Sequence, residues 1–213
     1  QGNWGEMLLE RVLEQAGLWQ DARADLAWFV GLGRLLQDFE NPDHYGGLVD
    51  VLNTLLLGLV TAALLMPTER EQITYLDAVR RWCDRAITFS PGVQGGFKPD
   101  GSMFHHVGMF ADYGRDGLIG SAPVIGLLAG TAYQVGPDAR AIIRQALLTM
   151  RAYANTTQWP LPLSGRNPNG LTGLNINTYG VLANASLPDG RALDAELGRA
   201  YLRLMPANPT AAQ

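Results

Sequence analysis

His105 and His106 stand side by side, two of only three histidines in a chain of 213 residues. Tyr113 follows seven residues after His106, and Arg115 comes two residues later. Arg166 sits in a separate stretch, Trp159-Pro160-Leu161-Pro162-Leu163-Ser164-Gly165-Arg166-Asn167-Pro168-Asn169-Gly170. An imidazole and a phenol can each take and return a proton, and a guanidinium can hold an anion while charge develops on it. Taken singly, a loop histidine is usually a solvated surface group, a tyrosine a packing residue, and an arginine in a turn a helix-end cap. Their concentration in two long irregular stretches is what points to a site, because loops of that length in compact domains are commonly functional. Metal chemistry and a cofactor are not expected. The histidines are adjacent, Cys83 is the one cysteine, and no ligand set accompanies them.

The elements that must position these groups read as helices, with hardly any strand-like alternation. Apolar spacing predicts a helix over 6–18, ended by Gly17, and a second over 21–39 with Asp21 as its cap and Leu26, Phe29 and Val30 on one stripe. A third is expected over 47–65. Thr68 opens a fourth, where Glu71 completes a capping box and Ile73, Leu76, Val79, Trp82 and Cys83 form the apolar face. Residues 90–118 read as a long glycine-rich segment. Helices resume at 123–135 and 138–153, and two more follow the Arg166 stretch at 174–185 and 192–205. Antiparallel pairs joined by short turns give an all-α array of helical hairpins. Residues 206–213 read as a frayed tail.

Composition narrows the partners. With 47% hydrophobic and 17% charged residues the chain can bury a core. Sixteen Lys and Arg against twenty Asp and Glu leave a net charge of −4, which argues against nucleic acid or an anionic membrane as a partner. The apolar run 55–66 is too short to span a bilayer and reads as a buried helix. The start of the sequence, Gln1-Gly2-Asn3-Trp4-Gly5-Glu6, has neither the basic nor the apolar region of a signal peptide.

Gly96-Phe97-Lys98-Pro99-Asp100-Gly101-Ser102, then His105-His106 and Tyr113, resembles the hyaluronate and chondroitin lyases of polysaccharide lyase family eight. Within that family the likeness is to the chondroitin sulfate ABC branch. The stretch Leu161 to Pro168 looks like the arginine-bearing loop of the same enzymes, and weaker likeness runs through nearly the whole chain. The resemblance implies an incomplete α/α toroid over 1–205 and eliminative cleavage of acidic, uronate-containing polysaccharides. It also implies a secreted or periplasmic setting, and a β-sandwich portion carrying a catalytic glutamate that these 213 residues do not include. A chain lacking that portion is expected to cleave poorly.

The residue types suit β-elimination. The proton beside a uronate carboxylate is hardly acidic until that carboxylate is neutralised by cations or hydrogen-bond donors. A base must then reach C5 and an acid the leaving oxygen. Tyrosine can do both in turn if a neighbouring cation lowers its reference pKa of about 10. By resemblance, Tyr113 is the base and acid, His106 meets the carboxylate or serves as base for one uronate epimer, and Arg166 holds the tyrosinate and the substrate. Trp4, Phe104 and Trp159 are expected to stack on sugar rings, with Asn3, His105 and Asn169 as polar contacts. One departure stands out. The family's other branches carry an asparagine upstream, whereas the corresponding stretch here, Gly46-Gly47-Leu48-Val49-Asp50, has none, and Asn53 lies a turn further on. The ABC branch uses a histidine beside a Trp-Gly pair, for which Asn3-Trp4-Gly5 is the comparable trace. Two other readings stand beside the lyase: a non-catalytic acidic-saccharide binder, and a glycosidase built on Asp100, Asp112 or Asp116.

Overall fold

The computed structural model describes residues 19–36, 47–155, 158–163, 173–185 and 193–205. The expected helix over 6–18, the tail, and the residues Asn3, Trp4, Arg166 and Asn169 lie outside the described residues. What is described is mostly helical. Helix α1 is Trp19–Phe29, followed by a 3-10 turn at Leu32–Leu36. Next comes α2, Leu48–Asp50, which runs through a π-helical turn at Val51–Leu55 into α3, Leu56–Leu64. Helix α4 is Glu69–Ala86. Three short strands follow: β1 Gly96–Phe97, β2 Met103–His105 and β3 Gly108–Met109, all antiparallel in the order β1-β2-β3. Helices α5 Ala111–Leu128, α6 Pro137–Tyr153, α7 Ile176–Asn184 and α8 Ala195–Leu204 complete the described chain. Among the described residues no helix is long and apolar enough to cross a membrane.

The start of α4 forms as its sequence dictates. Thr68 Oγ1 accepts from the Glu71 amide at 3.3 Å, and Glu71 Oε2 accepts from the Thr68 amide at 3.1 Å, so two orphan donors are satisfied reciprocally. Leu76, Val79, Trp82, Cys83 and Ala86 of this helix are buried. Ile73, expected on the same face, is 47% exposed. Full burial pushes the Cys83 thiol up to about 12, so it is an inert packing group. Two further expectations at α1 are corrected. Asp21 lies within its first turn instead of capping it, and Phe29 points outward beyond the stripe of Leu26 and Val30.

The largest departure concerns 111–118, expected as part of the irregular segment. It is the first part of α5, which runs on through 122, and Pro123 lies inside that helix instead of opening one. Gly114, Gly117 and Gly120 recur at three-residue spacing along it because neighbouring chain comes too close for side chains. A Cβ at Gly120 would lie 2.4 Å from the Leu52 carbonyl oxygen and 2.5 Å from Asn53 Cα. Helix α5 therefore packs backbone to backbone against the π-turn of the α2–α3 rod. A β-carbon on Gly114 would meet Met103 and Met150, which shows that the N-terminal end of α5 lies by the C-terminal end of α6.

Antiparallel packing continues through α7 and α8. Tyr179 of α7 is buried and donates its hydroxyl to the Leu147 carbonyl of α6 at 2.9 Å. Asp194 caps α8, accepting from the Glu196 and Leu197 amides, and it is also paired with Arg144 of α6.

Replacing Gly120 by Ala is expected to cost about 1–3 kcal/mol by overpacking, since backbone rather than a flexible side-chain end stands in the way. Gly198→Ala on α8, where a Cβ meets nothing within 4 Å, is expected to stabilise by up to about 1 kcal/mol through helix propensity. Chemical denaturation of the two variants checks both signs.

Burial pushes the Asp194 carboxyl up, but the Arg144 guanidinium and the Leu197 and Glu196 amides outweigh it and hold it below the usual carboxylate range. A depressed folded-state pKa means that the stabilisation is fully present above the unfolded value of about 3.9 and is lost as pH falls through the folded one. Stability measured from pH 7 downward is expected to fall in that acid window. Asp194→Ala is expected to lose about 3 kcal/mol or more at neutral pH, and its acid limb flattens.

Candidate active site

β2 and β3 are joined by a two-residue loop, since His105 pairs with Gly108. Its residues, His106 and Val107, both adopt left-handed backbone, with φ of 48° and 58°. Such two-residue hairpins need positive φ at both positions and ordinarily use Asn and Gly. Here a histidine and a β-branched valine hold that conformation, and strain of this kind collects at functional sites. The turn leaves His106 exposed and turns its ring to the first residues of α5.

Tyr113 stands in the first turn of α5, half-buried. Its ring centroid is 5.4 Å from that of His106, edge-on at 90°, and 4.5 Å from that of His105. Phe110 meets Tyr113 at 5.9 Å and His106 at 6.4 Å, both edge-on, closing one side of the cluster. A phenol and an exposed imidazole in edge contact form a pair that can handle a proton at one point of a substrate. The other tyrosines placed in the interior are poor candidates. Burial pushes the Tyr153 hydroxyl up to about 12, and it pushes that of Tyr179 higher still.

His105 is 2% exposed, so it supports this pair from within. Its Nε2 lies 3.5 Å from Asp50 Oδ2, across from the last residue of α2. Sequence reasoning missed Asp50. The signal that could have found it was its place at the end of the very stretch, 46–50, in which an asparagine was sought. Asn53 is exposed within the π-turn, and turns of this type often mark functional positions.

The remaining predicted contacts divide. Phe104 is half-buried, and the Lys98 ammonium lies 4.7 Å from its ring centroid. That ammonium is itself buried and donates to Ser90 Oγ and to the carbonyls of Ser90, Pro91 and Gln94. Desolvation lowers its pKa, opposed by the charge of Asp100. Trp159 is 3% exposed, with the Arg115 guanidinium 5.7 Å from its ring centroid. Arg115 also chelates Asp116 and donates to the Gly173 carbonyl at 3.3 Å. Gln158 and Gly173 form an antiparallel bridge, so both feet of the excursion that contains Arg166 are tied near the first turns of α5.

Asp100 accepts from the Ser102 amide at 2.9 Å and from its hydroxyl at 2.7 Å, and these bonds hold its carboxyl below the usual range. It is the anchor of a turn. No group of three or more potential metal ligands occurs among the described residues. A larger groove, about 1020 Å³ and lined by Leu127, Val181 and Leu202 among others, lies along the far half of α5 and includes none of the His106–Tyr113 cluster.

Val107 is 74% exposed, so its side chain contributes little packing to offset the left-handed backbone. Val107→Asn is expected to stabilise the fold by about 1 kcal/mol, because asparagine tolerates this region far better than a β-branched residue. Thermal and urea denaturation check it.

Known proteins resemble this chain along nearly its whole length. A family described as "Lyase, catalytic" matches residues 4–211. The chain is 33% identical over 207 residues to a chondroitin sulfate ABC exolyase of Bacteroides thetaiotaomicron, covering 97% of this chain and 20% of that protein. It is 34% identical over 194 residues to a chondroitin sulfate ABC exolyase of Proteus vulgaris, covering 91% and 19%. A chondroitin sulfate ABC endolyase of Proteus vulgaris is 26% identical over 163 residues, or 76% of this chain and 16% of that one. The chain thus spans about a fifth of the length of the relatives it matches. With nearly all of its residues inside the family match, this chain belongs to the lyase catalytic-domain family.

Proposed function

We propose that this chain carries the proton-transfer centre of a polysaccharide lyase that cleaves chondroitin-type glycosaminoglycans by β-elimination. The observation that carries the reading is the edge contact of Tyr113 with the exposed His106, placed by a strained turn on the first turn of a helix. In this reading the helical hairpins are part of an incomplete α/α toroid. A further portion of the enzyme, a β-sandwich with its glutamate, supplies the other wall of the cleft. The named relatives point to chondroitin sulfate as the substrate, and a secreted or periplasmic setting is part of the same proposal, resting on the family resemblance alone.

The chemistry follows from the groups. His106, with Arg166, neutralises the uronate carboxylate, and this acidifies the C5 proton. Tyr113, as the phenolate, takes that proton through its oxygen. The electron pair left on C5 forms the C4–C5 double bond as the C4–O4 bond breaks. Tyr113 then returns the proton to the departing glycosidic oxygen, which stays on the anomeric carbon of the leaving sugar, so the phenolate is regenerated and no other reactant is consumed. Two of the carboxylates considered for a glycosidase are engaged elsewhere, Asp100 by Ser102 and Asp116 by Arg115, and the third, Asp112, is buried in the first turn of α5. That favours elimination over hydrolysis.

In the complete enzyme that contains this stretch, Tyr113→Phe is expected to abolish release of unsaturated uronate, followed by ultraviolet absorbance, while substrate binding survives. Arg166→Ala is expected to damage both turnover and binding. The 213-residue chain by itself is expected to cleave slowly or not at all, because one wall of the cleft is absent and the centre lacks its support. Saturated products from the complete enzyme would overturn the class, and full activity of Tyr113→Phe would overturn the mechanism.

A further inference from the structure

Helices α6 and α8 run parallel, and their charges follow a shared register. At the start of α8, Asp194 and Glu196 are both paired with Arg144 of α6. Beyond Glu196 helix α8 carries no further carboxylate, and α6 carries none after Asp138. Arg151 of α6 then faces Arg199 and Arg203 of α8 across a groove of about 420 Å³. Among the described residues Glu196 is the one carboxylate lining it, and it is paired with Arg144. Arg151 is held in place, donating Nη1 to the carbonyls of Ala154 at 3.3 Å and Asn155 at 2.8 Å, while its Nε is buried with no acceptor among the described residues. Arg199 and Arg203 are exposed. Three guanidiniums converging on one concave surface are unexpected in a chain of net charge −4. Like charges facing one another repel, and an oxyanion placed between them converts that repulsion into charge-assisted hydrogen bonds.

The groove lies at the same end of the helices as the candidate active site. The C-terminal end of α6 adjoins the N-terminal end of α5, where Tyr113 stands. From Arg151 the chain runs to Asn155, whose amide donates to the Gln158 carbonyl, and then to Trp159 beneath Arg115.

We propose that the groove between α6 and α8 is a second anion site, which holds a sulfate or carboxylate of an acidic polysaccharide outside the cleavage centre through Arg151, Arg199 and Arg203. The choice of a saccharide as carrier rests on the lyase reading; the anion chemistry does not. A site of this kind anchors a long chain while its scissile bond is presented elsewhere, and it favours sulfated over unsulfated substrate.

The test uses the full 213-residue chain with a defined chondroitin sulfate oligosaccharide, an unsulfated hyaluronan oligosaccharide of equal length, and inorganic sulfate. Arginine Nε–H resonances and calorimetric affinity are followed at low and high ionic strength. The chondroitin sulfate fragment is expected to shift the Arg151, Arg199 and Arg203 signals and to bind more tightly than hyaluronan. Its affinity should fall about tenfold or more in the Arg199→Ala/Arg203→Ala double variant, in keeping with loss of charge-assisted bonds. It should weaken with salt. Both substituted residues are exposed, and Arg199→Glu alone gives a second variant in which binding should be lost. Unchanged affinity in these variants, arginine signals that do not move, or a response to inorganic sulfate without one to the saccharide would each overturn the proposal. The lyase reading fails separately. A complete enzyme that binds the fragment through these arginines yet releases no unsaturated product overturns the elimination and leaves the groove standing.

Discussion

The close approach of α5 to the π-turn of the α2–α3 rod is the constraint on which the candidate site depends. Because Gly120 lies against the Leu52 carbonyl and Gly117 against Val49, the two backbones are fixed relative to each other without intervening side chains. That contact sets where α5 begins, and its first turn carries Tyr113. It also places the end of α2 so that Asp50 reaches the buried His105. The hairpin is then gripped on both sides: His105 is turned inward toward Asp50, and His106 is turned outward beside Tyr113. The left-handed turn after β2 does this, and it keeps the centroids of the two imidazole rings 3.9 Å apart, both rings in contact with Tyr113.

How much of this could be read from the sequence differs from element to element. The start of α4 was legible because Thr68 and Glu71 act locally, through bonds that span three residues. The all-helical class was legible because apolar residues recur with helical spacing. Helix α5 was not, and the reason is physical. Its glycines at 114, 117 and 120 lower local helix propensity and read as loop, whereas their role is tertiary: Gly120 makes room for another backbone, Gly117 for Val49, and Gly114 for the side chains of Met103 and Met150. The β2–β3 hairpin escaped for the opposite reason. Its turn lacks the Asn or Gly that would announce it, and the strain at His106 and Val107 shows only in coordinates. His106 and Tyr113 were legible as chemistry before their scaffold was. Asp50 was not, since only the fold brings it to His105.

Electrostatics around the centre has a pattern that the sequence count conceals. Cations close to Tyr113 in sequence are committed to holding the scaffold. Lys98 is locked by three carbonyls and a hydroxyl under Phe104, and Arg115 is chelated by Asp116 and stacked on Trp159. Neither can follow the charge that develops on a reacting carboxylate without giving up bonds that shape the loops. Arginine is well suited to the role Arg115 plays, because its planar fork can stack and donate in several directions at once.

In the proposed elimination the second cation comes from the excursion between Gln158 and Gly173, and the attachment of that excursion constrains what it can do. Gln158 and Gly173 are bridged, and Arg115, two residues beyond Tyr113, donates to the Gly173 carbonyl. Arg166 is seven residues from Gly173. At about 3.4 Å per extended residue, that tether allows a reach of at most about 24 Å from a foot that is itself tied to α5. The same arginine that anchors the foot sits on the helix that carries the phenol. A change at Arg115 would thus release the loop from α5 while leaving Tyr113 and His106 in contact, separating proton transfer from the cation that makes it possible. On the proposed reading the site depends on two attachments to one helix: a hairpin that presents His106, and a tether that limits how far Arg166 can lie from Gly173.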